Sequence, residues 1–129
     1  PGAIALIEAL LARGIPLAIG TSSSRDLCRV KLAAQTFGSR FHTIACSDDP
    51  GVLAAKPAPD IFLRAAEGLG ATPERCLVFE DTPNGVAAAR AAGMEVIAVV
   101  DATMLQENYS GALRIVRSLE GIALADLGL

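Results

Sequence analysis

Two adjacent carboxylates, Glu80 and Asp81, close an apolar run in the stretch Val78-Phe79-Glu80-Asp81-Thr82-Pro83-Asn84-Gly85. A hard cation such as Mg²⁺ takes carboxylate oxygens, keeps several waters and bridges to phosphate, which suits a pair of acids at the mouth of a sheet. Thr21 and Ser22 follow a second apolar run, Ile15 to Gly20, and lead into helical sequence. A helix start presents unpaired N–H groups and a positive dipole end, and these two hydroxyls add donors for an anion such as phosphate. Lys56 lies in Ala55-Lys56-Pro57-Ala58-Pro59-Asp60, where two prolines restrict the backbone and pre-set the next helix start. An ammonium aimed in this way holds a phosphoryl oxygen or neutralises a carboxylate beside it. Together the hydroxyls, the lysine and the acids describe a magnesium-assisted phosphoryl-transfer pocket. Each piece also has a structural reading: Ser23 or Ser24 as a helix N-cap, Lys56 as a solvated loop residue, Asp81 as the cap of the helix near Asn84, and Glu80 as a surface acid.

Other devices for handling phosphate are missing from the sequence. It has neither G-x-x-x-x-G-K-[ST] nor G-x-G-x-x-G, which weakens nucleotide and dinucleotide readings. His42 is the single histidine and sits inside a strand pattern, so it reads as a packed or edge residue rather than a general base. Cys28, Cys46 and Cys76 are odd in number and lack C-x-x-C spacing, which fits small buried hydrophobes in a reducing compartment.

The elements that must position these residues alternate along the chain. Ala3 to Arg13 reads as an apolar-faced helix closed by Gly14, and Ile15 to Gly20 as a short buried strand. Ser24 to Phe37 reads as a helix, Phe41 to Cys46 as a strand, and Pro59 to Leu69 as a helix stopped by Gly70. Cys76 to Phe79 is an expected strand, Asn84 to Ala92 an Ala-rich helix, and Val96 to Val100 a strand. In the tail, Leu113 to Val116 suggests a last strand and Ile122 to Leu127 a turn of helix. Strands separated by helices of this length imply βαβ units and a mostly parallel sheet covered on both faces. In such sheets ligands bind beyond the carboxyl ends of the strands, where Thr21, Ser22, Glu80 and Asp81 stand.

The 129 residues suit one domain over 1–129, with 52% hydrophobic residues for a core and only 4% aromatics. A net charge of −3 with singly scattered Lys and Arg argues against nucleic acid, which needs clustered cations. No apolar run approaches the ~20 residues that span a bilayer, so the reading is a cytoplasmic protein without membrane contact.

Taken in order, "IGTSS", "KPAPDIF" and "VFEDTPNGVAAARAAGM" resemble the second, third and fourth motifs of the haloacid dehalogenase superfamily. The likeness is greatest to its branch of pseudouridine-5′-phosphatase, β-phosphoglucomutase and sugar-phosphate phosphatases, and runs from Pro1 to about Val100. The resemblance implies a Rossmann-like three-layer α/β/α fold and Mg²⁺-dependent hydrolysis of a small phosphorylated metabolite through an aspartyl-phosphate. By motif position, Thr21 and Ser22 would bind the phosphoryl group, and Lys56 would pair with nucleophile and phosphate. Asp81, helped by Glu80, would hold the metal. The superfamily's first motif, D-x-D-G-[TS], occurs nowhere in the sequence, and neither does the helical cap that reads the substrate. The resemblance therefore implies an incomplete, inactive core whose central strand, between those ending at Thr21 and Glu80, comes from an N-terminal segment of the same protein or from a second copy. Two other readings remain: a non-catalytic binding or assembly module derived from that fold, and a receiver-like phosphoacceptor.

Overall fold

The computed structural model describes residues 2–33, 38–104 and 107–129. In chain order the elements are α1 (Ala3–Ala12), β1 (Ala18–Gly20), α2 (Arg25–Ala33), β2 (Thr43–Ala45), α3 (Asp60–Leu69), β3 (Leu77–Glu80), α4 (Pro83–Ala91), β4 (Glu95–Val99) and β5 (Arg114–Val116). Short 3-10 turns stand at Gly38–Arg40, Pro73–Arg75, Ala102–Met104 and Leu124–Leu127. All strand pairings are parallel, and the expected alternation of helix and strand is present.

The strands form two sheets rather than one. β1 pairs with β2, while β3, β4 and β5 form a three-stranded sheet with β4 in the middle. Among the described residues no ladder joins β1 to β3. The two strands expected to flank a central one thus stand unpaired with each other, each with one free edge.

β4 shows why the three-stranded side holds the core. Val96, Ala98 and Val100 alternate onto one face and join a cluster with Val86, Ala88 and Ala89 of α4, while Ile97, one step out of phase, is equally buried. A strand covered on both faces reads as an unbroken apolar run, as in parallel sheets generally. Helix α3 carries the same cluster to the other sheet. Its buried residues Ile61, Phe62, Ala65 and Ala66 fall on one face at helical spacing, and the helix packs on β1 and β2 while touching α4. Gly70 ends α3 at φ 66, a left-handed turn that side chains other than glycine resist.

Some expected elements are shorter. The Ile15 to Gly20 strand pairs from Ala18 onward, because Pro16 has no N–H and Leu17 is held by His42 instead. The Leu17 N–H donates to His42 Nδ1 at 3.0 Å and the His42 N–H to the Leu17 carbonyl at 2.7 Å, so His42 closes the end of the ladder as an exposed edge residue. Helix α2 runs to Ala33, and positions 34–37 of the expected Ser24 to Phe37 helix lie outside the described residues. Cys28 and Cys46 are buried and Cys76 half-buried, all as free thiols.

Candidate active site

The residues singled out in the sequence gather at the carboxyl ends of β1 and β3. Lys56 leaves its loop beneath two prolines, and the Lys56–Pro57 peptide bond is cis. Its Nζ donates to Glu80 Oε2 at 2.8 Å, with the two side chains only 13% and 9% exposed. It also stands 4.8 Å from the centroid of the Phe62 ring, whose face attracts a cation. That ring packs against Gly20 at the end of β1. Lys56 and Phe62 therefore form a bridge from the last residue of one sheet to the last residue of the other.

Glu80 is fully engaged. Its Oε1 accepts from the Asp81 N–H at 3.0 Å and, at 3.4 Å, from the N–H and the hydroxyl of Thr82. Burial pushes the Glu80 carboxyl up, but hydrogen bonds with Asp81 and Lys56, and the charge of Lys56, outweigh it and hold the group below the usual range. The anionic Glu80 in turn raises Asp81, first through their shared hydrogen bond, then with burial and charge repulsion adding to it. Gly85 lets this happen sterically, since a Cβ there would overlap the Glu80 carboxylate.

The structural reading of Asp81 as a helix cap is replaced by a neighbour. Thr82 caps α4, its Oγ1 accepting from the Gly85 N–H at 3.0 Å, and Asp81 stands exposed beside Glu80. Among the described residues no group of three or more His, Cys, Asp or Glu side chains forms a metal cage. An exposed carboxylate completed by water and phosphate is nevertheless a donor set that Mg²⁺ takes, so Asp81, with Glu80 behind it, fits that ion.

On the β1 side, Ser22 and Lys56 line the same cleft of ≈ 80 Å³, together with Ser47 and Leu53. Thr21 continues the ladder through its N–H to the Ala45 carbonyl at 2.9 Å, and its Oγ1 accepts from the Ser23 N–H at 3.1 Å. With that lone pair occupied, the Thr21 hydroxyl proton is directed elsewhere. Ser24 is the cap of α2, its Oγ accepting from the Leu27 N–H at 3.3 Å.

Several positioning residues were not singled out in the sequence. Asp60 Oδ2 accepts from the Leu53 and Ala54 N–H groups at 2.9 and 3.0 Å, which ties the loop before Lys56 to the start of α3. Those two bonds hold the Asp60 carboxyl below its ordinary range. Asp49 is 7% exposed and receives Arg25 through both oxygens, at 2.8 and 2.9 Å, and the Cys46 N–H at 2.9 Å. Arg25 also donates to the Ile44 carbonyl at 2.8 Å, so this clamp fastens the loop after β1 to the loop after β2. The partners of Asp49 and Asp60 stand 3 to 24 residues away along the chain, and no local pattern announces them.

A family model described as haloacid dehalogenase-like hydrolase matches residues 1–93. A probable pseudouridine-5′-phosphatase of Drosophila melanogaster is 42% identical over 133 residues, covering 100% of this chain and 58% of the relative. The crystal structure of CbbY from Rhodobacter sphaeroides in complex with phosphate superposes with a TM-score of 0.89 at 34% identity, covering 100% of this chain and 58% of that one. A putative beta-phosphoglucomutase from Thermotoga maritima gives 0.88 at 30% identity, with 100% and 60% covered. This chain thus spans a little over half the length of these relatives, and it shares their parallel α/β, Rossmann-like architecture. On its matched residues and its identity to these proteins, the chain belongs to the haloacid dehalogenase-like hydrolase family.

Proposed function

We propose that these residues are the carboxyl-terminal part of the catalytic core of a phosphatase acting on a small sugar or nucleoside phosphate. The observation that carries this reading is the Lys56–Glu80 pair, which places a buried ammonium between the ends of the two sheets. The relatives named as pseudouridine-5′-phosphatase and beta-phosphoglucomutase, and a neighbour crystallised with phosphate, support the substrate class. Thr21 and Ser22 donate to the phosphoryl oxygens, and Lys56 neutralises both phosphate and nucleophile. Asp81, backed by Glu80, would hold Mg²⁺, which when bound would neutralise charge on the phosphoryl oxygens.

The nucleophile is an aspartate on a strand that enters between β1 and β3, supplied by another segment of the same protein or by a second copy. Its carboxylate oxygen forms a bond to phosphorus as the ester P–O bond breaks, and the leaving alkoxide takes up a proton. Water then cleaves the aspartyl-phosphate to inorganic phosphate. Free buried thiols at Cys28 and Cys46 accord with a cytoplasmic setting.

The test is Mg²⁺-dependent hydrolysis of an aryl phosphate by the 129-residue chain and by a chain extended with the upstream segment of a relative. The expected result is no turnover by the first and turnover by the second, reduced at least about 100-fold by Lys56→Ala or Asp81→Asn. Turnover by the shorter chain would place a nucleophile within these residues and overturn the proposal. An inert extended chain that still folds would favour the assembly-module reading.

A further inference from the structure

Tyr109 is the single tyrosine of the sequence and is 5% exposed within the main core cluster. A buried phenol packs its ring but still needs a partner for its O–H. Here the hydroxyl donates to the main-chain carbonyl of Asp81 at 3.2 Å. The segment that carries it is fixed independently: the Ala112 N–H donates to the Tyr109 carbonyl at 3.2 Å, and the Leu113 N–H to the Val96 carbonyl of β4 at 2.7 Å. The hydroxyl is thus placed by the core and by the central strand rather than by the acid loop itself.

The contact matters because of which peptide unit it holds. The Asp81 carbonyl and the Thr82 N–H belong to one planar peptide, and that N–H donates to Glu80 Oε1 at 3.4 Å. The preceding peptide is held too, through the Asp81 N–H to the same oxygen at 3.0 Å. Removing the Tyr109 hydroxyl frees one end of the second peptide and lets Asp81 reorient. We propose that Tyr109 is a positioning residue for the Asp81 carboxylate, fixing from the carbonyl side the peptide that Glu80 fixes from the N–H side. The part of this that concerns metal rests on the phosphatase reading; the part that concerns the loop does not.

With one tyrosine and no tryptophan, the tyrosine emission of the chain comes from Tyr109 and reports on its surroundings. The experiment titrates MgCl₂ into the 129-residue chain, with NaCl of equal ionic strength as control, and measures Mg²⁺ affinity by calorimetry for the wild type, Tyr109→Phe and Asp81→Asn. The expected result is a saturable emission change in the wild type, binding abolished in Asp81→Asn, and affinity about 10-fold weaker in Tyr109→Phe, as for other partners of a metal ligand. Tyr109→Phe binding as tightly as wild type while Asp81→Asn fails to bind would overturn the inference and leave the metal reading standing, whatever happened to stability. Should the wild type take up no Mg²⁺, the metal reading of this chain fails. Amide exchange then decides the inference: faster exchange at Asp81 and Thr82 in Tyr109→Phe, with Val96 to Val99 unchanged, supports it, and equal exchange refutes it.

Discussion

The two sheets are held by different physics. In the three-stranded sheet β4 is covered on both faces, with Val96, Ile97 and Ala98 at 0–1% exposure, and α4 packs on it through Val86, Ala88 and Ala89. In the two-stranded sheet β1 is half-buried along its length, and α2 buries only Cys28 while leaving Leu27 and Val30 47% and 70% exposed. That side depends on α3 for its apolar contact and adds a polar fastening, the Arg25–Asp49 clamp between its two loops. Two three-residue strands bury too little surface to stand alone, so directional bonds take over where area is short. The loops so fixed are the ones that carry Thr21 and Ser22.

Ile97→Ala tests the apolar half. Ile97 is 1% exposed in the central strand, and its truncation removes buried methylenes and leaves a cavity. The expected cost is about 3 kcal/mol of unfolding free energy, read from urea denaturation and constant with pH. A loss under about 1 kcal/mol would mean that β4 is not the anchor of the fold and would erase the contrast between the sheets.

Asp49→Ala tests the polar half. It strands the buried Cys46 N–H and releases Arg25, for an expected cost of about 2 kcal/mol at neutral pH, less than a fully buried pair because Arg25 is 40% exposed. Burial raises the Asp49 carboxyl, but the Cys46 N–H and Arg25 outweigh it, so the folded value lies below the ordinary one of about 3.9. A depressed carboxylate stabilises the fold fully above its unfolded pKa and loses that contribution as pH falls through the folded one. The difference between wild type and Asp49→Ala should therefore be steady from pH 7 to about 5 and shrink below about pH 4, while that of Ile97→Ala persists. A pH-independent Asp49→Ala effect would show that the clamp is not what the carboxylate contributes.

Periodicity and punctuation made the elements legible. The apolar run Val96 to Val100, the two-proline entry to α3 and the glycine that ends it each follow from local chemistry, and the three short motifs pointed to the family whose model matches residues 1–93. The long-range partners were not legible. Nothing local distinguishes Asp49 from Asp48, yet one is buried on Arg25 and the other exposed. Glu80 and Asp81, alike in the sequence, divide their work in space: one is bound to Lys56 and Thr82, the other stands exposed beside it. The capping role weighed for Asp81 falls to Thr82, because the helix begins at Pro83, a residue that suits the first helical position.

The smallest expected effect separates the halves at matched chemistry, since each has one hydroxyl cap. Thr82 accepts from the Gly85 N–H at 3.0 Å and sits over a helix whose Val86 and Ala88 are sealed in the core. Ser24 accepts from the Leu27 N–H at a longer 3.3 Å, on a helix that is mostly solvated. Losing a cap typically costs about 1 kcal/mol. That cost reaches global stability only where the helix cannot fray without opening the core. Thr82→Ala should therefore lower the urea midpoint by the full amount, adding the loss of its contact with Glu80. Ser24→Ala should cost less than half as much, and show instead as faster amide exchange confined to Leu27 and Cys28. Equal global costs for the two variants would mean that α2 is as firmly locked to the core as α4, and that the polar side of the molecule is not the looser one.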